Sequence, residues 1–207
     1  VLPDIKKLII KNIKNNVTDV NKAQYMIDKI TAIEFRTKVC SIGEKSGFNP
    51  IGSLFQPNAN YQLPGNILTI CKGTLFINKG AGELSLPYII AHEIAHSIDP
   101  CGIMFGPNTE GYGFRYPLNS GRAQAESAHP YGAVLKCLRG ADSIGASVSE
   151  ELTGKTWKNK PYLGYCQQKD QIGESFSDWM ATEVTTEYAR ANEKKLVKAG
   201  QKKNKQM

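Results

Sequence analysis

Apolar residues recur along this chain with two different periods. Between residues 19 and 42, Val20, Ala23, Met26, Ile30, Ile33 and Val39 fall at helical spacing with Lys and Glu between them. That pattern predicts one long amphipathic helix, with Gly43 and Gly47 marking its end. Residues 48–65 carry Pro50, Gly52, Pro57 and Pro64 and read as loop-rich. Ile67, Leu68, Ile70, Leu75 and Phe76 then suit short strands with a buried face, predicted over 61–63, 66–71 and 74–77. A second helix is expected from Ser85, as N-cap, through His96, with Pro87 tolerated in the first turn and Pro100 as the stop. Residues 100–120 read as a Gly/Pro/Asn loop, and 131–139 as a shorter helix. Residues 140–170 look mixed, with turns near Gly154 and Gly164, and a final helix is expected over 171–198, ending at Gly200. There is no internal repeat and no interdomain linker. The expected fold class is α+β: predominantly helical, with a small strand region beside a cleft. It divides into an N-terminal helical region over 1–50, a core over 51–200 and a basic, disordered tail over 201–207.

Composition changes this picture only in part. A chain of 207 residues, 41% hydrophobic and 22% charged, is globular material long enough for a real core. No apolar run approaches the roughly 20 residues needed to span a bilayer. The N-terminus, Val1-Leu2-Pro3-Asp4, has neither an initiating Met nor a signal-peptide pattern and is expected to be a processed or trimmed end. The net charge of +7 first suggests nucleic acid. It splits, however, into +4 over residues 1–50, −3 over 51–187 and +6 over 188–207. The last basic run contains no aromatic residue, so a solvated helix end and tail accounts for it better.

Five cysteines stand at 40, 71, 101, 137 and 166 without a C-x-x-C pair. A Cys-built zinc site is therefore disfavoured. The spread is compatible with disulfides in an oxidising compartment, with buried inert thiols as the alternative. The odd count leaves at least one thiol free or paired outside the chain. Asn16-Val17-Thr18 is a glycosylation sequon of a kind that also arises by chance.

The candidate chemistry lies in the acidic centre. His92-Glu93-Ile94-Ala95-His96 is H-E-x-x-H inside an apolar helix. Residues i and i+4 share one helix face, so both imidazoles can reach one zinc ion. Glu93 is then placed to accept a proton from a water at the metal and return it to the leaving amine. A third histidine in the pattern H-E-x-x-H-x-x-G-x-x-H is excluded, because Asp99 and Gly102 occupy the two positions it needs. Gly173-Glu174-Ser175-Phe176-Ser177-Asp178 offers another solution. Glu174 can be the third ligand, while Asp178, one turn on, accepts the free ring N–H of His92. Apolar neighbours Phe176, Trp179 and Met180 suggest that this acidic pair faces an interior site.

These residues resemble the gluzincin metallopeptidases and, within them, the neprilysin (endothelin-converting enzyme) family. The resemblance rests on Asn58-Ala59-Asn60-Tyr61 with the following Pro64-Gly65-Asn66, on 91–99 around the zinc helix, and on 173–178. Order and spacing match over residues 55–190. Glu174, Ser177-Asp178 and Thr182 are also similar to thermolysin-like enzymes. The resemblance implies a zinc endopeptidase with one Zn²⁺ per chain, a peptide or protein substrate and an extracellular or periplasmic location. It implies that Asn58 binds the substrate backbone through its side-chain amide and Ala59 through its main-chain carbonyl, in the manner of strand addition.

The chain departs from the family downstream. It has no His after His129 and no Arg after Arg190, where the family places an oxyanion-stabilising His and a substrate-binding Arg. It also ends soon after the third-ligand helix, which points to a missing C-terminal segment or a partner chain. His129 is the candidate substitute donor, with Tyr112, Arg115, Tyr116, Tyr131 and Tyr165 behind it. The departure keeps a rival reading in play: a catalytically degenerate zinc-binding module with a scaffold or interaction role.

Overall fold

The structure, a computed structural model, describes residues 1–38, 40, 58–63, 65–75, 83–104, 109–114, 127–139 and 172–204. Residues 48–57 and 64 of the loop expected over 48–65, the segment 140–170 with its turns, Arg115, Tyr116 and Tyr165, and residues 205–207 lie outside that set. What it describes is mostly helical with one three-stranded sheet, an α+β architecture.

The N-terminal region is two helices and a strand rather than one long helix. Helix α1, Leu2–Asn16, has Pro3 in its first turn, where a missing N–H costs nothing. Ile5, Ile9 and Ile13 recur every fourth residue and are fully buried, each contributing roughly 1.5–3 kcal/mol. Helix α2, Val20–Thr31, starts at Asp19, whose carboxylate accepts the amides of Asn21 and Lys22 at 3.0 and 3.1 Å.

The helix expected over 19–42 stops at Thr31, and Glu34–Lys38 form strand β1. All five β1 residues are exposed, so no alternation announces the strand. Its conformation is set by pairing with a distant strand, a tertiary contact that overrides local pattern. Glu34 and Arg36, two apart and so on one face, form an ion pair at 2.6 Å.

Strand β2, Ala59–Gln62, and strand β3, Ile67–Cys71, complete the sheet in the order β1-β3-β2. β1 runs parallel to β3, with Glu34 opposite Ile67 and Lys38 opposite Cys71, while β2 runs antiparallel on the other side. Asn66, at φ 49°, turns the chain between β2 and β3. Its side chain accepts from the Tyr61 hydroxyl at 2.7 Å and donates to the Lys29 carbonyl at 3.0 Å. A disulfide joins Cys40 to Cys71, Cys101 is also disulfide-bonded, and Cys137 is free and exposed.

The strand expected over 74–77 is not one where it is described: residues 72–75 are helical. Thr74 uses its hydroxyl instead. It accepts the Asn58 amide at 2.8 Å and donates to the Asn58 carbonyl at 2.7 Å, doing with a side chain what a further strand would do with its backbone.

Helix α3, Ser85–Ala95, carries the H-E-x-x-H residues; Leu84 rather than Ser85 occupies the cap position. Pro100, expected only to stop it, opens a short helix α4, Pro100–Met104, and a 3-10 turn follows at Thr109–Tyr112. Both fall within the expected 100–120 loop. Helix α5 is Gly132–Arg139. The expected final helix is two: α6, Ile172–Ala191, and α7, Glu193–Asn204, which runs past Gly200. Asn192 makes the break, its side-chain amide donating to the Tyr188 carbonyl at 2.9 Å and so competing with the helical backbone.

α3 packs along α6, with α1 against both. Ile90, Ile94, Ile98, Phe176, Met180 and Val184 join the α1 isoleucines in one core. Among the described residues, no helix is long and apolar enough to cross a membrane.

Candidate metal centre

Helices α3 and α6 bring His92, His96 and Glu174 together. One ligand atom from each lies within 4.8 Å of the other two, a group that could hold a metal ion. His92 Nε2 lies 3.1 Å from His96 Nε2; Glu174 Oε2 lies 3.2 Å from the first and 3.5 Å from the second. The helices run antiparallel here. Glu174 meets His92 and His96, and Asp178 meets His92 and Tyr88, one turn back along α3.

Protonation follows from the other ring nitrogens. His92 Nδ1 is 2.9 Å from Asp178 Oδ1, and His96 Nδ1 is 2.9 Å from Asp99 Oδ2. A carboxylate only accepts, so each Nδ1 carries the hydrogen. In the neutral rings both Nε2 atoms then present lone pairs to one another and to Glu174. Three electron-rich atoms converge with no hydrogen between them, an arrangement that a cation relieves.

Asp99 is the site residue that the sequence reading passed over as a ligand partner. It is almost fully buried, and its second oxygen accepts the Gly102 amide. Gly173 makes room for it: a Cβ there would stand 2.9 Å from Asp99 Oδ2. Ser177, fully buried, places its hydroxyl 3.1 Å from His96 Nδ1. Tyr88 donates its hydroxyl to Asp178 at 2.9 Å. The signal for Asp99 was an acid three residues past the second histidine, within reach on the turn that leaves the helix. Glu174 and Asp178 do not face an interior as expected: their side chains are 54% and 58% exposed, and the site opens to solvent on that side.

Burial is the largest influence on Glu93 and pushes its carboxyl up; His96, His92 and a hydrogen bond from the Tyr61 backbone amide oppose it. Burial lowers the His96 pKa, but the hydrogen bond and charge of Asp99 outweigh it, so the net shift is upward.

The Tyr61 contact follows from sheet parity. The Cys71 amide donates to the Asn58 carbonyl at 2.9 Å, which makes that pair a hydrogen-bonded one. Alternation then turns the main-chain groups of Ala59 and Tyr61 away from β3, toward the outer edge of β2. That edge lies over Glu93. Asn58 is exposed at the start of β2, with its main chain held by Thr74 and Cys71.

His129 is not at the site. It is buried, with Nε2 donating to the Ile98 carbonyl at 2.9 Å and Nδ1 accepting the Tyr131 amide at 3.0 Å. Both nitrogens serve the core, and burial lowers its pKa to about 4. Tyr112 and Tyr131 also point elsewhere, their hydroxyls donating to Asp28 and Asn12. Compared with known protein families, curated proteins and solved structures, the chain matches none.

Proposed function

We propose that this chain is a zinc-dependent endopeptidase of the gluzincin type, resembling the neprilysin family. The observation that carries the reading is the convergence of His92 Nε2, His96 Nε2 and Glu174 Oε2, with a carboxylate behind each imidazole. Their separations of 3.1, 3.2 and 3.5 Å bracket the ~3.3 Å edge of a tetrahedron with zinc-like bonds of about 2.0–2.1 Å. Two imidazoles and one carboxylate are a donor set typical of catalytic zinc, which keeps one position open.

Zinc, when bound, supplies Lewis acidity for polarising a peptide carbonyl. The chain does the rest. Asp178 and Asp99 keep the two imidazoles in the ligating tautomer. Glu93 accepts a proton from the attacking water at its carboxylate and passes it to the departing amine nitrogen. The outward main-chain groups of Ala59 on β2 hold an extended substrate by strand addition, with the Asn58 side chain beside them. The Cys40–Cys71 disulfide is compatible with an extracellular or periplasmic site of action.

Replacing Glu93 with Gln tests the assignment. The variant should bind one zinc per chain like the parent and lose peptide cleavage by about a hundred- to ten-thousandfold. Zinc-dependent cleavage that survives the change sinks the mechanism. A parent chain that takes up zinc and cleaves nothing in a mixed peptide pool favours the degenerate module, a reading to which the inward-facing His129 gives some weight.

A further inference from the structure

Lys29 lies on α2, one helix away from the ligand face, and its side chain is 3% exposed. Lysines are almost never buried without a partner. Its Nζ donates to the Gly102 carbonyl. The Gly102 amide in turn donates to Asp99 Oδ1, and Asp99 Oδ2 holds His96 Nδ1. One turn before Lys29, Tyr25 donates its hydroxyl to the Ile103 carbonyl at 3.2 Å. α2 therefore sends two side chains to consecutive carbonyls of α4. Gly102 is pressed against the end of α3, because a Cβ there would overlap the His96 carbonyl oxygen. No side chain at 102 could replace this backbone link.

Charge points the same way as geometry. Burial lowers the Lys29 ammonium to about 8, while Asp99 acts against that shift. At neutral pH Lys29 is thus mainly a cation near a buried carboxylate. A buried carboxylate without a countercharge is costly.

We propose that Lys29 is a positioning residue for the metal site: through Gly102 and Asp99 it holds His96 with Nδ1–H toward the interior and Nε2 toward the ligand face. Lys29 touches no ligand and no substrate. The inference rests on the metal-binding reading above and adds to it a residue that neither motif contains.

The test uses the whole chain and zinc ion alone, in competition with a chromophoric chelator. Lys29→Met should remain folded by circular dichroism and bind zinc about ten- to a hundredfold more weakly. Its cobalt form should show an altered visible spectrum, which a purely structural role would leave unmoved. Asp99→Asn added to Lys29→Met should weaken binding by no more than about twofold further, because both act through one path. Tyr25→Phe, which loses the neighbouring bond but no charge, should stay within about twofold of the parent. If Lys29→Met does not fold, Lys29→Gln, which keeps a donor and removes the charge, should show the same loss. A folded Lys29 variant with parental zinc affinity overturns the proposal, as does full additivity with Asp99→Asn. A parent chain that binds no zinc overturns the metal reading itself, a result distinguishable from both.

Discussion

The two histidines of the ligand face make the same hydrogen bond in opposite surroundings. His92 gives its Nδ1–H to Asp178, which is 58% exposed and shares a bond with Tyr88. His96 gives its Nδ1–H to Asp99, which is 5% exposed, bonded to Gly102 and near the charge of Lys29, while the Ser177 hydroxyl lies beside the same ring nitrogen. Water can replace Asp178 at little cost to the stability of the metal-free protein. Nothing so mobile can replace Asp99, because a buried donor left without an acceptor keeps its whole desolvation penalty. The solvent side of the site thus contributes little to the fold, and the interior side is part of it.

Acidification should separate the two sides most. His129 supports the interior side by donating to the Ile98 carbonyl next to Asp99. Its folded pKa is about 4, against an ordinary 6.5, with burial as the main cause. Between those values the unfolded chain holds a proton that the folded chain lacks. The stability that neutral His129 contributes is therefore complete above about pH 6.5 and falls as pH drops toward 4, by on the order of 3 kcal/mol. Urea unfolding across that range checks this, and His129→Gln should flatten the slope. Parallel curves for the two proteins would remove His129 as the cause.

Paired substitutions come next. Asp99→Ala and Asp178→Ala should each weaken zinc binding about ten- to a hundredfold. Only Asp99→Ala should also destabilise the metal-free protein, by about 1–3 kcal/mol, because it orphans the Gly102 amide and leaves His96 Nδ1 with the Ser177 hydroxyl alone. Asp178→Ala should stay within about 0.5 kcal/mol. Equal losses in metal-free unfolding would erase the contrast. The smallest expected effect is that of Tyr88→Phe, which removes one donor to an exposed carboxylate. About a two- to threefold change in zinc affinity is expected, and a larger one in the same titration would mean that the outer side is less open to water than its exposure implies.

The juxtaposition of the candidate ligands was legible because their signal is local. His92 and His96, and likewise Glu174 and Asp178, are four apart on one helix, and helical spacing alone puts each pair on a common face. Ile5, Ile9 and Ile13 form an equally plain stripe within the expected N-terminal helical region, and they carry α1. What pattern could not reveal depends on distant partners. β1 is fully exposed and exists through its pairing with β3. Thr74 binds Asn58 through a hydroxyl that strand propensity does not anticipate. His129 reads in sequence as a spare imidazole, and only packing shows both its nitrogens engaged. Lys29 falls on the apolar face of its helix, four residues after Tyr25 and three after Met26, but spacing alone does not tell what its ammonium binds.

The antiparallel run of α6 beside α3, with Gly173 bare against Asp99, also fixes how the site responds to motion. Moving α6 along α3 by one residue is a slide of about 1.5 Å. Ligand distances at a metal are held to within about 0.2 Å. If the site holds zinc as proposed, its affinity is a sensitive gauge of the axial setting of the two helices, and a displacement too small to disturb the core would register first as a change in metal occupancy.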